Sequence, residues 1–230
     1  MTQIITDQTP IFNSVMEFSE DYLARKFSRP VKPRTEIVYQ LTKDAGYLHQ
    51  YYLLRDDMFA MQAAQQDAFD AESETMIARV GNHCIGGARL TFSDQGPLPM
   101  EKGNFALQNV FPQLPLSDVR YVEISRMAIL PEFHNSLVTI ELSRQLLERA
   151  VEGKARYAFT LAPVPLSRNY REAASLSGLK WNICYDVPVP ASDEDQGKLV
   201  LSVLDLAPAY RPKARRLQMD IRTDITLVAG

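Results

Sequence analysis

The sequence has few of the residues that ligate metals or form disulfides. Its 230 residues include two cysteines and three histidines, and their spacing matches no metal-site pattern. Cys84 and Cys184 lie in apolar, strand-like segments, where a cysteine usually acts as a small buried residue. This usage is typical of a reducing compartment. We therefore expect a cytoplasmic protein with no metal site and no permanently bound cofactor.

A long apolar run and a secretory leader pattern are missing too. No stretch approaches the roughly 20 apolar residues that cross a bilayer. The first residues, Met1–Gln8, have neither the basic start nor the apolar core of a signal peptide. Hydrophobic residues make up 46% of the chain and charged residues 23%, as in ordinary globular proteins. These features predict a soluble protein without a membrane span.

A strongly basic composition is absent as well, which argues against nucleic acid as a partner. The formal net charge is -3 at pH 7. Basic residues are nevertheless concentrated near the C-terminus. Four of them define what we name the basic tail: Arg211, Lys213, Arg215 and Arg216. Such a run is usually a solvated surface, and the alternative is a binding site for an acidic protein partner.

Apolar periodicity predicts alternating strands and helices. In chain order the predicted elements are a strand at 37–42, a helix at 47–65, a hairpin of strands at 75–80 and 83–92, a short helix near 104–111, a strand at 121–130, a helix at 137–151, a strand at 156–162, a helix at 167–176, and strands at 183–189 and 199–206. This alternation predicts an α/β protein whose mixed sheet has helices on both faces. Residues 1–34 are interpreted as an N-terminal extension and 35–230 as a single domain.

Polar side chains interrupt one strongly apolar strand, Tyr121–Leu130. It carries Glu123, Ser125 and Arg126, and burying such charges costs on the order of several kcal/mol unless they are paired or solvated. One interpretation is a structural ion pair or a wet sheet edge. The other is an active-site strand with Glu123 as base and Arg126 as anion holder. Strict alternation places Glu123 and Ser125 on one face and Arg126 on the other, unless a bulge intervenes.

Four short patterns follow one another along the predicted elements. They are an Arg with a Phe four residues later (Arg55–Phe59), two acids three residues apart (Asp67 and Asp70), a Gly-Ala-Arg-Leu run (Gly87–Leu90, including Arg89), and Glu-Ile-Ser-Arg (Glu123–Arg126). In this order they resemble the acyl-homoserine-lactone synthases (LuxI-type autoinducer synthases) and the related N-acyl amino acid synthases. Both groups belong to the GNAT superfamily of N-acyltransferases. The resemblance extends from about residue 47 to residue 181.

The resemblance implies both a fold and an activity. The fold is the acyl-CoA N-acyltransferase (GNAT-like) fold, with a central mixed sheet that splays open beside residues 121–129. The activity is transfer of a fatty acyl group from an acyl carrier protein or CoA thioester to an amino-acid-derived amine, with S-adenosylmethionine as one possible acceptor. Catalytic roles are implied for Glu123, Ser125 and Arg126. Substrate-binding roles are implied for Arg55, Phe59, Asp67, Asp70 and Arg89.

Two departures from the family pattern bear on the substrates. The lactone synthases carry a Trp before the acidic pair, which helps to hold S-adenosylmethionine, whereas the one Trp here is Trp181. Many CoA-using relatives hold the CoA pyrophosphate on a glycine-rich loop, and the corresponding segment 131–136 contains no glycine. A donor carried on acyl carrier protein lacks that pyrophosphate. The missing loop therefore favours acyl carrier protein as a partner, which the basic tail would attract.

Other interpretations of these residues stay open. Arg126 is expected to pair with Asp67 or Asp70, and Arg89 with the same acids. In the plainer interpretation, this ion network only pins the N-terminal helix to the sheet. A non-catalytic ligand-binding module on the same fold is the second class of function, because fold alone does not fix activity. Glu123 held in a saturated salt bridge would favour that module.

Overall fold

The computed structural model of the protein describes residues 36–59, 67–101, 105–134, 137–189 and 199–210. The whole of the proposed extension (1–34) and the whole basic tail lie outside these ranges. Within them, seven strands and four α-helices alternate. In chain order they are β1 (Ile37–Thr42), α1 (Ala45–Phe59), β2 (Glu74–Val80), β3 (His83–Phe92), α2 (Leu107–Val110), β4 (Tyr121–Ile129), α3 (Leu137–Glu152), β5 (Tyr157–Pro163), α4 (Val164–Leu176), β6 (Trp181–Cys184) and β7 (Leu199–Asp205).

The strands form one mixed sheet in the order β1-β2-β3-β4-β5-β7-β6. Every neighbouring pair is antiparallel except β4 and β5, which run parallel. The parallel pair is joined through α3, as a crossover connection requires. The β2–β3 hairpin turns at Gly81, whose positive φ of 56° suits the tight turn predicted there. The predicted mixed-sheet architecture is confirmed.

Apolar residues of alternating strand positions pack into clusters on the two faces of the sheet. One face holds the largest cluster, which includes Val122 and Ile124 of β4 and the buried stripes of α3 and α4. The other face is covered by α1, through Tyr51 and Tyr52, and by residues of the connection between β3 and β4. Helices therefore lie on both faces, and β4 is at the centre of the sheet.

One predicted strand was wrong in its boundaries. The sequence pattern predicts a strand at 183–189, whereas β6 spans Trp181–Cys184 and a turn follows at Tyr185 and Asp186. The turn ends the pairing at Cys184, and Pro188 has no N–H with which the strand ladder could resume. Val187 and Val189 still pack on the cluster beside β5. Their apolar character reflects this packing and not strand pairing.

Two local features distinguish β4 at the centre of the sheet, and the first is that it separates from β5. Parallel pairing with β5 covers Tyr121 to Glu123 and stops there, with Glu123 opposite Phe159. β5 continues to Pro163 while pairing with β7, so β4 and β5 separate beyond this point. The predicted splay beside residues 121–129 is confirmed.

The second feature is a bulge on β4. Gly87 of β3 pairs with Ala128 and Arg89 pairs with Ser125, so two residues of β4 lie opposite Ala88. One of them, Arg126, has the left-handed backbone conformation with φ of 55°, which is costly for a residue other than glycine. The bulge falls within the segment of β4 that has lost its β5 partner.

Within the described residues, no helix combines the length and apolar character that a membrane crossing requires. The same residues contain no cluster of three or more histidines, cysteines or acids that could hold a metal ion.

Candidate active site

Glu123 lies at the point where β4 and β5 separate. It is the last β4 residue paired with β5, and its side chain is on the face that carries α1 and the connection between β3 and β4. Only 3% of the residue is exposed. One carboxylate oxygen, Oε2, accepts a hydrogen bond of 2.8 Å from the backbone N–H of Met100, and the Ser125 hydroxyl donates another hydrogen bond to the carboxylate.

Burial raises the pKa of Glu123 to about 7. The hydrogen bonds from Met100 and Ser125 and the positive charges of Arg89 and Arg126 oppose this rise, but desolvation is the largest effect. No ion pair joins Glu123 to a basic side chain in the described part of the chain. The side chain is therefore a buried carboxylate that exchanges its proton near neutral pH, as a general base must.

An ion network connects α1, the turn at 67–72, β3 and β4. Nη1 of Arg55 lies 2.9 Å and 3.0 Å from the two carboxylate oxygens of Asp70. Nη1 of Arg89 bridges the two acids, at 2.5 Å from Asp67 and 3.0 Å from Asp70. Nε of Arg126 lies 3.6 Å from Asp67. The pairings expected from the sequence for Arg89 and Arg126 are thus present.

Ser125 links this network to Glu123. Its hydroxyl oxygen accepts a hydrogen bond of 3.3 Å from Nε of Arg89 and itself donates to the Glu123 carboxylate. Ser125 therefore contacts both the ion network and the Glu123 carboxylate.

Strict alternation does not hold for Arg126, because β4 has the bulge that the sequence analysis named as the exception. The bulge shifts the alternation of β4 by one residue, so the Arg126 side chain reaches Asp67 on the face of Glu123. The left-handed conformation of Arg126 costs about 1–3 kcal/mol. The Asp67 ion pair and a 2.6 Å hydrogen bond from the Tyr51 hydroxyl to the Arg126 carbonyl oxygen offset this cost.

The two acids of the network differ in access. Asp70 is buried between two arginines, and Arg55 is fully buried, whereas the Asp67 side chain is 18% exposed. Partial burial favours the neutral form of Asp67, but the hydrogen bond and charge of Arg89 outweigh it and lower its pKa. Asp67 therefore stays ionised at neutral pH. The substrate-binding roles implied for these residues and for Phe59 remain predictions.

A cluster of aromatic and aliphatic side chains lies on the Glu123 side of β5, and we name it the β5 cluster. Its core includes Phe111, Phe159 and Leu201. The Phe159 ring lies 5.8 Å, centre to centre, from the rings of both Phe111 and Tyr121. Because Phe159 is the β5 partner of Glu123, the apolar cluster adjoins the carboxylate.

Sequence patterns could not identify two contacts of this site. Met100 contributes only its backbone N–H to Glu123, which no side-chain pattern reveals. Tyr51 looks like an ordinary apolar position of α1, yet its hydroxyl reaches β4, 75 residues away along the chain. The basic tail lies outside the described residues.

None of the protein-family models matches the sequence, and no curated protein matches it either. Solved structures do match. The AHL synthase LasI aligns with a TM-score of 0.52 at 20% identity, over 75% of this chain and 91% of that chain. FeeM, an N-acyl amino acid synthase from uncultured soil microbes, aligns with a TM-score of 0.55 at 11% identity, over 74% and 91% of the two chains.

A CoA-dependent acyl-homoserine lactone synthase, BjaI, aligns with a TM-score of 0.50 at 17% identity, over 70% of this chain and 76% of that chain. At such identities the likeness establishes the fold, and this chain has the acyl-CoA N-acyltransferase (GNAT-like) fold. The aligned structures include members of the two synthase groups that the four sequence patterns resemble.

Proposed function

We propose that this protein is an N-acyltransferase that moves a fatty acyl group from a thioester to the amine of an amino-acid-derived acceptor. The observation that carries the proposal is the position of Glu123. A buried carboxylate with a pKa near 7 lies where β4 separates from β5. The likeness to an AHL synthase and an N-acyl amino acid synthase supports this chemistry.

The proposed reaction is attack of a neutral amine on the thioester carbonyl. Glu123 accepts a proton from the acceptor ammonium, directly or through one water. The amine nitrogen then bonds to the carbonyl carbon, and backbone amides of β4 near residues 124–128 stabilise the oxyanion that forms. When the carbon–sulfur bond breaks, the thiolate leaves and takes up a proton. The products are an N-acyl amide and a free thiol.

The environment of Glu123 also argues against a non-catalytic binding module. That alternative expects the carboxylate in a saturated salt bridge away from any opening. Instead, its contacts are the Met100 amide and the Ser125 hydroxyl, and β4 loses its strand partner beyond it. The ion network has a structural role, but it ends at Ser125 and leaves Glu123 able to exchange a proton.

The β5 cluster supports a fatty acyl group as the transferred moiety. A chain that enters between β4 and β5 beside Glu123 meets Phe159 and then the side chains packed around it. Each methylene buried in such surroundings contributes about 0.8 kcal/mol.

For the acceptor, Asp67 is the acid best placed to bind an ammonium group. It is ionised and partly exposed, whereas Asp70 is saturated by Arg55 and Arg89. Trp181 stacks on Tyr170 and belongs to the cluster on the opposite face of the sheet, so it does not replace the Trp of the lactone synthases. This placement favours an amino acid acceptor, with S-adenosylmethionine, which is bound in a BjaI structure, as the alternative.

For the donor, we propose an acyl carrier protein. The segment after β4 begins with a short turn at Pro131–Phe133, and the side chain of the next residue, His134, donates from Nε2 to the Ile129 carbonyl at 2.5 Å. This segment has no glycine-rich loop for a pyrophosphate. BjaI is described as CoA-dependent, so acyl-CoA is the donor to compare directly.

Mass spectrometry of solvent extracts from cells that overexpress the protein tests the function. The expected result is an N-acyl amino acid, or an acyl-homoserine lactone if S-adenosylmethionine is the acceptor, that disappears in cells expressing Glu123→Gln. The purified protein should then form the same product from the corresponding acyl carrier protein thioester. Extracts that match those of the empty-vector cells would contradict the proposal.

The basic tail gives a separate prediction about the donor. Reversing Arg215 and Arg216 to glutamate is expected to raise KM for an acyl carrier protein donor and leave kcat nearly unchanged, because surface charges act mainly on association. The effect should shrink with added salt, since the Debye length is about 8 Å at physiological ionic strength. Steady-state kinetics with a carrier donor and a small-thiol donor of the same chain provide the measurement.

The position of Tyr210 makes the charge reversal at Arg215 and Arg216 a demanding test of the carrier-protein donor. The last described residue, Tyr210, bonds to carbonyls at the C-terminal end of α3, Val151 and Ala155, near the ends of the strands opposite the splay. Arg215 and Arg216 follow Tyr210 by five and six residues, so an extended chain of about 3.3–3.6 Å per residue would let them reach about 17–22 Å from it. Equal losses on both donors would show that the tail supports the fold instead.

A further inference from the structure

In the half of β4 that pairs with β3 but not with β5, two backbone groups form hydrogen bonds with side chains of α1. The Tyr51 hydroxyl donates to the Arg126 carbonyl at 2.6 Å, and the Ile129 N–H donates to the thioether of Met58 at 3.1 Å. Both backbone groups lie beyond the point where β5 pairing stops. The conformation of this part of β4 therefore depends on α1 as well as on β3.

The Tyr51 contact requires a close approach between α1 and β3. A Cβ atom on Gly87 would lie 2.7 Å from the Tyr51 ring, so glycine makes room for the phenol. Gly87 is also the β3 residue at one edge of the bulge, opposite Ala128. The ring is fully buried and its hydroxyl reaches the left-handed residue, Arg126. The contact thus bears directly on the bulged peptide.

We infer that Tyr51 is a positioning residue for acyl transfer: it fixes the β4 bulge, and so the backbone amides beside it, in the orientation that stabilises the oxyanion. The inference rests on the proposed function. Its physical basis is that an oxyanion site works only when its donors are fixed before the charge develops. A left-handed arginine that loses its hydrogen bond can relax toward ordinary strand geometry, and the neighbouring amides then turn with it.

The test begins with Tyr51→Phe, which removes one oxygen and keeps the ring. At a temperature well below unfolding, kcat is expected to fall by about 10- to 100-fold, because a misplacement near 1 Å has this effect on catalysis. KM for donor and acceptor should be unchanged. The limb of the pH profile near pH 7 should also stay in place, because Tyr51 acts on the carbonyl side of the reaction and not on Glu123.

Tyr39→Phe is the matched control. The Tyr39 hydroxyl is also buried and has no hydrogen-bond partner within the structure's described ranges, so its removal should leave kcat unchanged. Gly87→Ala provides an independent disturbance, because it keeps the hydroxyl but displaces the ring. If both changes act through one contact, the kcat loss of the double variant should be smaller than the product of the two single losses.

The outcomes separate this inference from the proposed function. An active wild type with Tyr51→Phe at the wild-type kcat would overturn the positioning role alone. A parallel change in KM, or a shift of the pH limb, would also overturn it, because each indicates a disturbance outside the bulge. If the wild type transfers no acyl group to any amine, the proposed function fails and the inference falls with it.

Discussion

Replacing Glu123 with glutamine is expected to lower the rate of acyl transfer by about 10²- to 10⁴-fold, the usual cost of losing a positioned base. The amide has nearly the shape of the carboxylate and can still accept the hydrogen bond from Met100, so the protein should fold. Steady-state kinetics at saturating acceptor provide the measurement. Near-normal turnover would remove Glu123 from the mechanism.

The rate of acyl transfer is expected to depend on the protonation state of Glu123. Because burial raises the pKa of Glu123 to about 7, the base form is present above pH 7 and is lost below it. The wild-type rate should therefore rise with pH through a limb near 7 if this group is the base. A small residual activity in Glu123→Gln should not show that limb.

Glu123→Gln is expected to stabilise the protein although it lowers the rate of acyl transfer. The pKa of Glu123 is raised from 4.5 in a model compound to about 7 in the folded protein, so the folded state binds the proton more tightly than the unfolded chain. The stability that this proton contributes is present below about pH 4.5 and lost as the pH rises through 7. Glu123→Gln cannot ionise and should gain up to about 3 kcal/mol over wild type between pH 4 and pH 8.

Thermal melts of both proteins at the two pH values test this gain. An equal difference in melting temperature at pH 4 and pH 8 would show that Glu123 does not have a raised pKa. A stabilised but inactive variant is the expected combination, because buried catalytic groups usually reduce stability.

The sequence predicted the fold closely because its local signals agree with one another. Alternation in β2 and β3, the Gly81 turn and the amphipathic stripe of α3 each specify an element without reference to distant residues. The polar residues of β4 also indicated the active-site strand, since burying a carboxylate in an apolar strand costs free energy unless it is paired or solvated.

The parts that sequence reasoning missed depend on distant contacts. Nothing local to Arg126 signals a left-handed backbone, because the bulge is set by the β3 register and by Tyr51 on α1. The Met100 N–H that holds Glu123 belongs to a connection whose path no periodicity defines. Alternation along β4 alone therefore placed Arg126 on the wrong face.

The pairings of Arg89 and Arg126 in the ion network were predicted, but the Arg55–Asp70 pair and the burial were not. The sequence indicated that Arg89 and Arg126 pair with the acidic residues at 67 and 70. It could not show that Asp70 is buried between Arg55 and Arg89. Burial decides how much an ion pair affects stability. An exposed pair contributes about 0–1 kcal/mol, whereas breaking a buried pair costs roughly several kcal/mol. The largest stability effect is therefore expected at Asp70.

Asp70→Asn should destabilise the protein by about 3–5 kcal/mol, because it leaves two buried guanidinium groups facing a neutral amide. Chemical denaturation at pH 7 provides the measurement. Asp94→Asn is the matched control: Asp94 pairs with Arg120 at 3.0 Å, but the Asp94 side chain is 50% exposed and the Arg120 side chain 34%, so its loss should cost less than about 1 kcal/mol.

A double replacement separates the structural role of the network from its role in the site. Arg55→Met with Asp70→Leu replaces the fully buried pair by apolar groups and leaves Arg89 with Asp67 at 2.5 Å. Much of the stability lost in Asp70→Asn should return, since apolar replacement of a buried pair is often neutral. Acyl transfer should be lower than in wild type, because Arg89 has lost one of the two acids that orient it toward Ser125. If the double variant has the stability and the acyl transfer rate of wild type, the network only pins α1 to the sheet. If Asp70→Asn unfolds like wild type, the network does not stabilise the protein.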